Sequence, residues 1–133
     1  MGGTAFLQPP GWAAPKGYSN GVSVSGRQIY LAGQIGWNES QQLVSMRLAV
    51  QLRQALQNIV VLLAQAGGRP EHLVRLTWFV TNLDEYRAEL KEIGAAYRDV
   101  IGRHFPPMSV VQVAGLIEPE AKVEIEATAV IPE

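Results

Sequence analysis

The sequence predicts an α+β fold in which two helices pack on one face of a single mixed β-sheet. Strand-like and helix-like segments alternate along the chain in the order strand, strand, helix, strand, helix, strand, strand. Mixing of this kind is typical of a sheet covered by helices. Hydrophobic residues make up 47% of the 133 residues, which is enough for a substantial core. We therefore expect residues 1–133 to form one domain.

The chain starts with a segment that does not favour regular structure. Proline and glycine are frequent between residues 8 and 17, which predicts an irregular arm over residues 1–17. Residues 22–24 and 28–32 then have strand character, with Gly26 in the short break between them. This pattern predicts a β-hairpin.

Two helices are expected in the middle of the chain. Apolar residues recur at intervals of three and four over residues 45–66, and Gly67 and Gly68 follow as a stop signal. The second helix is expected over residues 85–103, with Asn82 or Asp84 as its N-cap. The apolar face of the first helix consists of Leu48, Leu52, Ala55, Leu56, Ile59, Leu62, Leu63 and Ala66.

Three further strands are expected over residues 73–81, 108–116 and 122–131, the last two joined by a turn as a second hairpin. The last strand alternates cleanly, so Glu124 and Glu126 lie on one face, about 6.6 Å apart. These carboxylates either form a solvated outer face or include a cleft carboxylate that acts as a base or holds water.

One layer of helices leaves the other face of the sheet uncovered, and self-association would cover it. Trp78 lies within a strand between Thr77 and Phe79. We therefore expect Trp78 to be buried at a subunit interface.

Composition also excludes several classes of function. Eleven basic and twelve acidic residues give a net charge of −1, which argues against nucleic acid as a partner. The chain has no cysteine, and its two histidines, His72 and His104, have no partners at metal-ligand spacing, so we expect no metal. Neither a signal peptide nor a membrane-spanning run is visible, so a cytoplasmic protein with no membrane contact is expected.

Several segments resemble the RidA family, also called YjgF or reactive intermediate deaminases. They are residues 17–21 (GYSNG), 31–35 (LAGQI), 55–58 (ALQN), 77–83 (TWFVTNL), 105–113 (FPPMSVVQV) and 122–130 (KVEIEATAV). The resemblance covers nearly the whole chain in the same order. It implies a chorismate-mutase-like fold and a homotrimer with small-molecule clefts between subunits. It also implies hydrolysis of enamine or imine intermediates to ammonia and a 2-keto acid, without a cofactor.

The resemblance assigns roles to individual residues. It implies that Glu124 positions or activates water, while Tyr18 and Gly33 line the cleft. Met108 stands where the family has the arginine that binds the substrate carboxylate, and Val110 stands where a cysteine is frequent.

The change at Met108 bears directly on substrate choice, because methionine cannot pair with a carboxylate. Met108, Val110 and Trp37 would make the site more apolar. Arg103 or His104 is a candidate for the missing cation.

These observations lead to one principal hypothesis and two alternatives. The first is a Rid-type deaminase acting on an enamine or imine other than small 2-aminoacrylate-type acids, such as a 2-aminomuconate-like product. The second is a non-catalytic trimer that binds a small metabolite, so whether the protein is an enzyme stays open. The third, a ribonuclease or translation inhibitor, is disfavoured by the lack of a basic surface.

Overall fold

The computed structural model describes residues 3–133 of the chain. Its elements, in chain order, are β1 (Ala5–Phe6), β2 (Val22–Ser23), β3 (Gly26–Ile35), α1 (Leu48–Gln65), β4 (Leu73–Val80), α2 (Leu83–Ala88), α3 (Leu90–Val100), β5 (Met108–Gln112) and β6 (Val123–Pro132). A short 3-10 turn, Pro70–His72, precedes β4. Among these helices, none has the length and apolar character needed to cross a bilayer.

The main sheet has four strands in the order β3-β6-β4-β5. Strands β4 and β5 are parallel, whereas β6 is antiparallel to both of its neighbours, so the predicted mixed sheet is confirmed. The predicted hairpin between the last two strands is wrong. Strand β6 instead lies between β3 and β4, and β5 occupies an edge beside β4. In this position the alternating apolar residues of β6 are buried at the centre of the sheet.

The predicted hairpin at the start of the domain is also wrong. Strand β2 pairs with β1 in a separate two-stranded ribbon, with Ala5 opposite Ser23, and β3 pairs with β6 at an edge of the main sheet. Strand β1 falls inside the arm that was expected to be irregular over residues 1–17; residues 1–2 of that arm lie outside the described residues.

The helical layer contains three helices instead of two. Helix α1 is close to its predicted bounds, although Leu62 on its expected apolar face is exposed. The second predicted helix is divided at Glu89, whose Oε1 accepts a hydrogen bond from the backbone N–H of Ala49, 3.0 Å away. Asn82 caps α2 by accepting a hydrogen bond from the N–H of Glu85 at 3.0 Å. Helix α3 ends at Val100, earlier than predicted.

The core lies between the sheet and the helices. Strand β6 contributes Val123, Ile125, Ala127 and Ala129, so its predicted alternation is confirmed. Trp78 is 2% exposed and stacks on Tyr97 of α3, with 6.0 Å between ring centroids. The expectation that a subunit interface would bury Trp78 is therefore wrong, because helix α3 of the same chain covers it.

The other side of the sheet has no helix on it, and we call it the open face. It carries the side chains of β6 and β4 that alternate with the core residues, together with Tyr30 of β3, which is 71% exposed. Open-face residues of the inner strands are Arg75, Thr77, Phe79, Glu124, Glu126 and Thr128.

Candidate functional site

Glu124 and Gly33 meet on the open face. The sheet register brings the end of β3 beside the start of β6, with Ile35 opposite Glu124, and the ladder is irregular between Leu31 and Gln34. A Cβ atom on Gly33 would lie 2.6 Å from Cδ of Glu124, closer than two non-bonded carbon atoms can approach. Glycine at position 33 therefore makes room for the Glu124 side chain to lie across β3.

Gln51 of α1 holds the segment that leads into β6. Its side chain is fully buried, and its Oε1 accepts a hydrogen bond from the N–H of Lys122 at 2.8 Å. Its Nε2 donates to the carbonyl oxygens of Ser45 at 2.9 Å and Glu120 at 3.1 Å. Every polar atom of this amide is satisfied, so Gln51 fixes the backbone two residues before Glu124.

Asn58 plays a similar part at the end of β3. Its Nδ2 donates to the carbonyl oxygens of Ile35 at 3.2 Å and Trp37 at 2.9 Å. Neither Gln51 nor Asn58 was among the candidate site residues identified from the sequence. A glutamine within the apolar stripe of a helix is the signal that could have identified the buried amide.

A second feature lies on the helix side of the sheet. A cavity of about 410 Å³ that is open to solvent lies between β4, the start of β5, helices α2 and α3 and the N-terminal arm, and we call it the helix-side cavity. Met108 lines it together with Trp78, Tyr97 and Phe105. Leu76 of β4, a core residue, is the strand partner of Met108, which explains why Met108 points towards the helices.

Aromatic stacking forms one wall of this cavity. Tyr97 lies between Trp78 and Phe105, with its ring 5.4 Å from that of Phe105 and 15° from parallel. The Tyr97 hydroxyl donates to the carbonyl oxygen of His104 at 2.6 Å. Burial raises the pKa of Tyr97, and burial also raises the pKa of Tyr86 on the same cavity. Both phenols therefore stay neutral through the physiological pH range.

Two cationic side chains, Lys16 and Arg98, also line the helix-side cavity, and none of the described lining residues is acidic. Within residues 3–133, neither cation forms a salt bridge. Arg98 lies one helical turn after Gly94 on α3, and a Cβ atom on Gly94 would come within 3.2 Å of its Nη1. Arg98 was not among the residues identified from the sequence, because a position near the end of a helix gives no sign of a cavity.

The remaining candidate residues are distributed around these two features. Val110 packs partly against the core on the same side of β5 as Met108. Tyr18 is exposed. Its neighbour Ser19 forms an isolated β-bridge with Pro107, the residue before Met108. Trp37 lies elsewhere, in a surface hollow with Gln34 and residues of α1.

The two cations that were candidates for replacing the family arginine lie outside the helix-side cavity. Arg103 is exposed and is not among the residues that line it. The Nε2 atom of His104 lies 2.7 Å from the carbonyl oxygen of Leu73, and this hydrogen bond keeps the imidazole ring beside the start of β4.

Glu124 and Met108 do not meet within one chain. Glu124 is in register with Phe79, and Phe79 with Val111, whereas Met108 is in register with Leu76. The two side chains therefore lie on opposite faces, two strands apart and offset by three residues, or about 10 Å, along the strand direction. Within residues 3–133, no group of three or more His, Asp or Glu side chains is arranged to hold a metal ion.

Comparison with known proteins assigns the chain to a family. Residues 10–131 match the family model described as endoribonuclease L-PSP, which is almost the entire length. The chain belongs to the Rid family. Among its Rid relatives, a human 2-iminobutanoate/2-iminopropanoate deaminase is 34% identical over 91% of this chain and 83% of the relative. The protein of the same name from Escherichia coli K12 is 35% identical over 85% of this chain and 86% of its own length.

Solved structures agree with the assignment. A Rid protein of unknown function from Yersinia pestis superposes with a TM-score of 0.84 at 33% identity, covering 96% of this chain and 98% of that one. The YjgF gene product of Escherichia coli gives a TM-score of 0.67 at 34% identity, covering 85% and 87% of the two chains. The α+β fold expected from the sequence is thus the Rid fold, with three helices and a mixed sheet.

Proposed function

We propose that this Rid protein is a deaminase that hydrolyses an enamine or imine metabolite other than small 2-aminoacrylate-type acids. Relatives named 2-iminobutanoate/2-iminopropanoate deaminase support the reaction class. The observation that carries the proposal is the close approach of the Glu124 side chain to Gly33, because it places a carboxylate directly against the neighbouring strand on the open face.

The chemistry is a simple hydrolysis. An enamine first tautomerises to the imine; water then adds to the C=N carbon, Glu124 takes a proton from that water and passes it to nitrogen, and the hydroxyl proton of the resulting carbinolamine moves to nitrogen as the C–N bond breaks to release ammonia and a carbonyl product. No electrons are exchanged with a cofactor. A positioned carboxylate of this kind contributes about 10²- to 10⁴-fold to such proton transfers.

The proposal includes a homotrimer with sites between subunits. In one chain Glu124 lies on the open face and Met108 lies on the helix side. A second copy could place its open face, with Glu124, against the helix-side cavity of the first. Self-association also covers Tyr30 and the other exposed side chains of the open face.

The change from arginine to Met108 supports the exclusion of small acids. Without a bidentate arginine, a small imino acid loses a charge-assisted contact of about 1.5–3 kcal/mol. The aromatic residues beside Met108 favour a larger and more apolar substrate.

The test generates imines in situ from small, acidic and aromatic amino acids with an amino-acid oxidase. Ammonia release is followed, and semicarbazide is present as a trap that reports the remaining imine. We expect the wild-type protein to hydrolyse at least one larger imine, and Glu124→Gln to remove that activity. Glu126→Gln, two residues further along the same face, is the matched control and should retain it.

Other outcomes point to different conclusions. Binding of ligands with no turnover on any imine, in a protein that remains folded, would contradict the deaminase and favour a metabolite-binding trimer. The separation of Glu124 from the cavity within one chain is the observation that favours this second candidate. Activity on small acids that appears only in Met108→Arg would show an intact water site that lacks its anion anchor. Salt-dependent RNA binding would instead support the ribonuclease alternative.

A further inference from the structure

We propose that the helix-side cavity binds an aromatic carboxylate, with Arg98 and Lys16 holding the anion and the aromatic wall holding the ring. This inference rests on the proposed function, since the ligand would be the substrate or product of that hydrolysis. It assigns the task of the missing arginine to residues on α3 and the N-terminal arm. It thereby names a substrate class: imines of aromatic 2-amino acids.

The size and lining of the cavity favour a ring-bearing ligand. Its volume of about 410 Å³ falls within the range of roughly 300–1,000 Å³ that is typical of small-molecule sites. Tyr86 and Phe105 are partly exposed along its lining, and Met108 adds a flexible thioether that packs well against rings; Trp78 and Tyr97 complete the lining but are only 2% and 5% exposed. A three-carbon imino acid would leave most of this surface without contact.

The charges around the cavity favour an anion. Lys16 and Arg98 both reach its lining, and among the described residues no carboxylate there neutralises them. By contrast, Arg53 on α1 faces Asp99 at 2.9 Å, and Lys122 faces Glu85 at 2.7 Å. An anionic group on the ligand would supply the partner that Arg98 lacks, and a guanidinium is suited to bidentate binding of a carboxylate.

Gly94 explains how Arg98 can serve the cavity. With no side chain at position 94, the guanidinium lies back over the helix one turn before its own Cα. An added Cβ would stand 3.2 Å from Nη1, so the guanidinium would have to shift by a few tenths of an ångström. Gly94 and Arg98 therefore act together, with Gly94 as a positioning residue.

The experiment measures binding by calorimetry with three probes on the intact protein. Phenylpyruvate carries both ring and carboxylate, pyruvate lacks the ring, and phenylacetone lacks the carboxylate. We expect phenylpyruvate to bind most tightly to the wild-type protein. In Arg98→Met its affinity should fall about ten- to a hundredfold, the loss expected for one charge-assisted contact. Affinity for phenylacetone should stay unchanged.

Controls separate a local effect from a general one. Arg87→Met removes the same charge from α2, at an exposed residue outside the cavity lining, and should leave phenylpyruvate binding unchanged. Gly94→Ala should weaken phenylpyruvate binding by a smaller factor than Arg98→Met. Size-exclusion profiles and thermal unfolding confirm that each variant keeps the wild-type assembly and fold.

Two results would overturn the inference: phenylpyruvate binding no tighter than pyruvate, or equal affinities in Arg98→Met and Arg87→Met. The outcome is independent of turnover. If phenylpyruvate binds through Arg98 but no imine is hydrolysed, the anion site stands, whereas the deaminase and the substrate class named here fail. If an imine is hydrolysed through Glu124 but Arg98 is indifferent, the deaminase stands and this anion site fails.

Discussion

The two faces of the sheet differ in almost every physical respect. The helix side is mostly buried, apolar and aromatic, and it borders a solvent-open cavity with two exposed cations at its lining. The open face carries Glu124, Glu126 and polar or exposed residues, and no helix covers it. The helix side therefore provides most of the core and a pocket beside it, whereas the open face presents a carboxylate. In the function proposed above, the two faces come from two copies of the chain and meet to form the site.

The largest effect should come from truncating the centre of the helix side. Trp78→Ala removes a ring that is 2% exposed and stacked on Tyr97, so we expect the free energy of unfolding to fall by about 3–5 kcal/mol. Urea denaturation at neutral pH measures this change.

Tyr30→Ala is the matched change on the open face. Tyr30 is 71% exposed in the single chain, so its loss should cost less than about 1 kcal/mol when dilution separates the copies, and more at concentrations where the proposed trimer covers the open face. An equal loss of stability in both variants, dependent on protein concentration, would show that a second copy buries the open face. In that case the two faces would be similar in the assembly, and the comparison above would hold only for the isolated chain.

The connection between the two faces can be tested at Gln51. Gln51→Leu leaves the N–H of Lys122 and two carbonyl groups without their partner, which should lower the free energy of unfolding by about 2–4 kcal/mol. Gln57→Leu, on the exposed side of the same helix, should change stability by less than about 0.5 kcal/mol. Comparable losses in the two variants would contradict the role given to the buried amide.

The geometry of the open face can be tested at Gly33. Gly33→Ala places a Cβ atom against the carboxylate of Glu124, so we expect a stability loss of about 1–3 kcal/mol and loss of any imine hydrolysis. Gly115→Ala adds the same methyl group where no atom lies within 4 Å, and it should have little effect on either property. Full activity in Gly33→Ala would show that the position of Glu124 does not matter for the reaction.

The smallest effect is expected at Tyr97. Tyr97→Phe loses one hydrogen bond to His104 and should cost about 1 kcal/mol at neutral pH. Burial raises the pKa of Tyr97 above that of an unfolded tyrosine, about 10. Above about pH 10 the folded protein therefore retains the phenol proton of Tyr97, which the unfolded chain releases.

The pH dependence follows from this difference. The stability due to the Tyr97 phenol is complete below pH 10 and is lost as the pH rises beyond it. Thermal unfolding between pH 8 and pH 11 should show a smaller alkaline decline in Tyr97→Phe than in the wild-type protein. Some decline should remain, because Tyr86 also has a raised pKa. Identical slopes would contradict the assignment to Tyr97.

Local patterns predicted the elements of this fold better than their arrangement. The alternation of residues 122–131 and the apolar spacing of residues 45–66 identified β6 and α1 because each depends on near neighbours in sequence. Both predicted hairpins were wrong because pairing depends on distant partners: β3 and β4 both pair with β6. The break at Glu89 was equally invisible, since it involves a hydrogen bond from Ala49 on another helix.

Some features of the candidate site could likewise be predicted from the sequence, and others could not. The placement of Gly33 beside Glu124 agrees with the residues that the family resemblance suggested, and the structure brings these two together. The helix-side cavity could not be predicted from the sequence, because Lys16, Arg98 and Met108 lie in three segments that are separate along the chain. Trp78 shows the limit of sequence reasoning at a single residue, since an aromatic side chain in a strand is apolar whether a helix or another subunit covers it.

The central position of β6 has a consequence for how fast the protein folds. Ile29 pairs with Ala129, and Leu76 pairs with Ala127, so the sheet depends on residues brought together across long stretches of chain. Closing such large loops costs entropy before any strand pairing compensates for it. Until β6 pairs between β3 and β4, strand β3 therefore has no partner in the main sheet and helix α1 has no complete sheet to pack against. We expect refolding on the millisecond-to-second timescale that is typical of topologies rich in distant contacts, well slower than the microseconds in which small helical bundles fold.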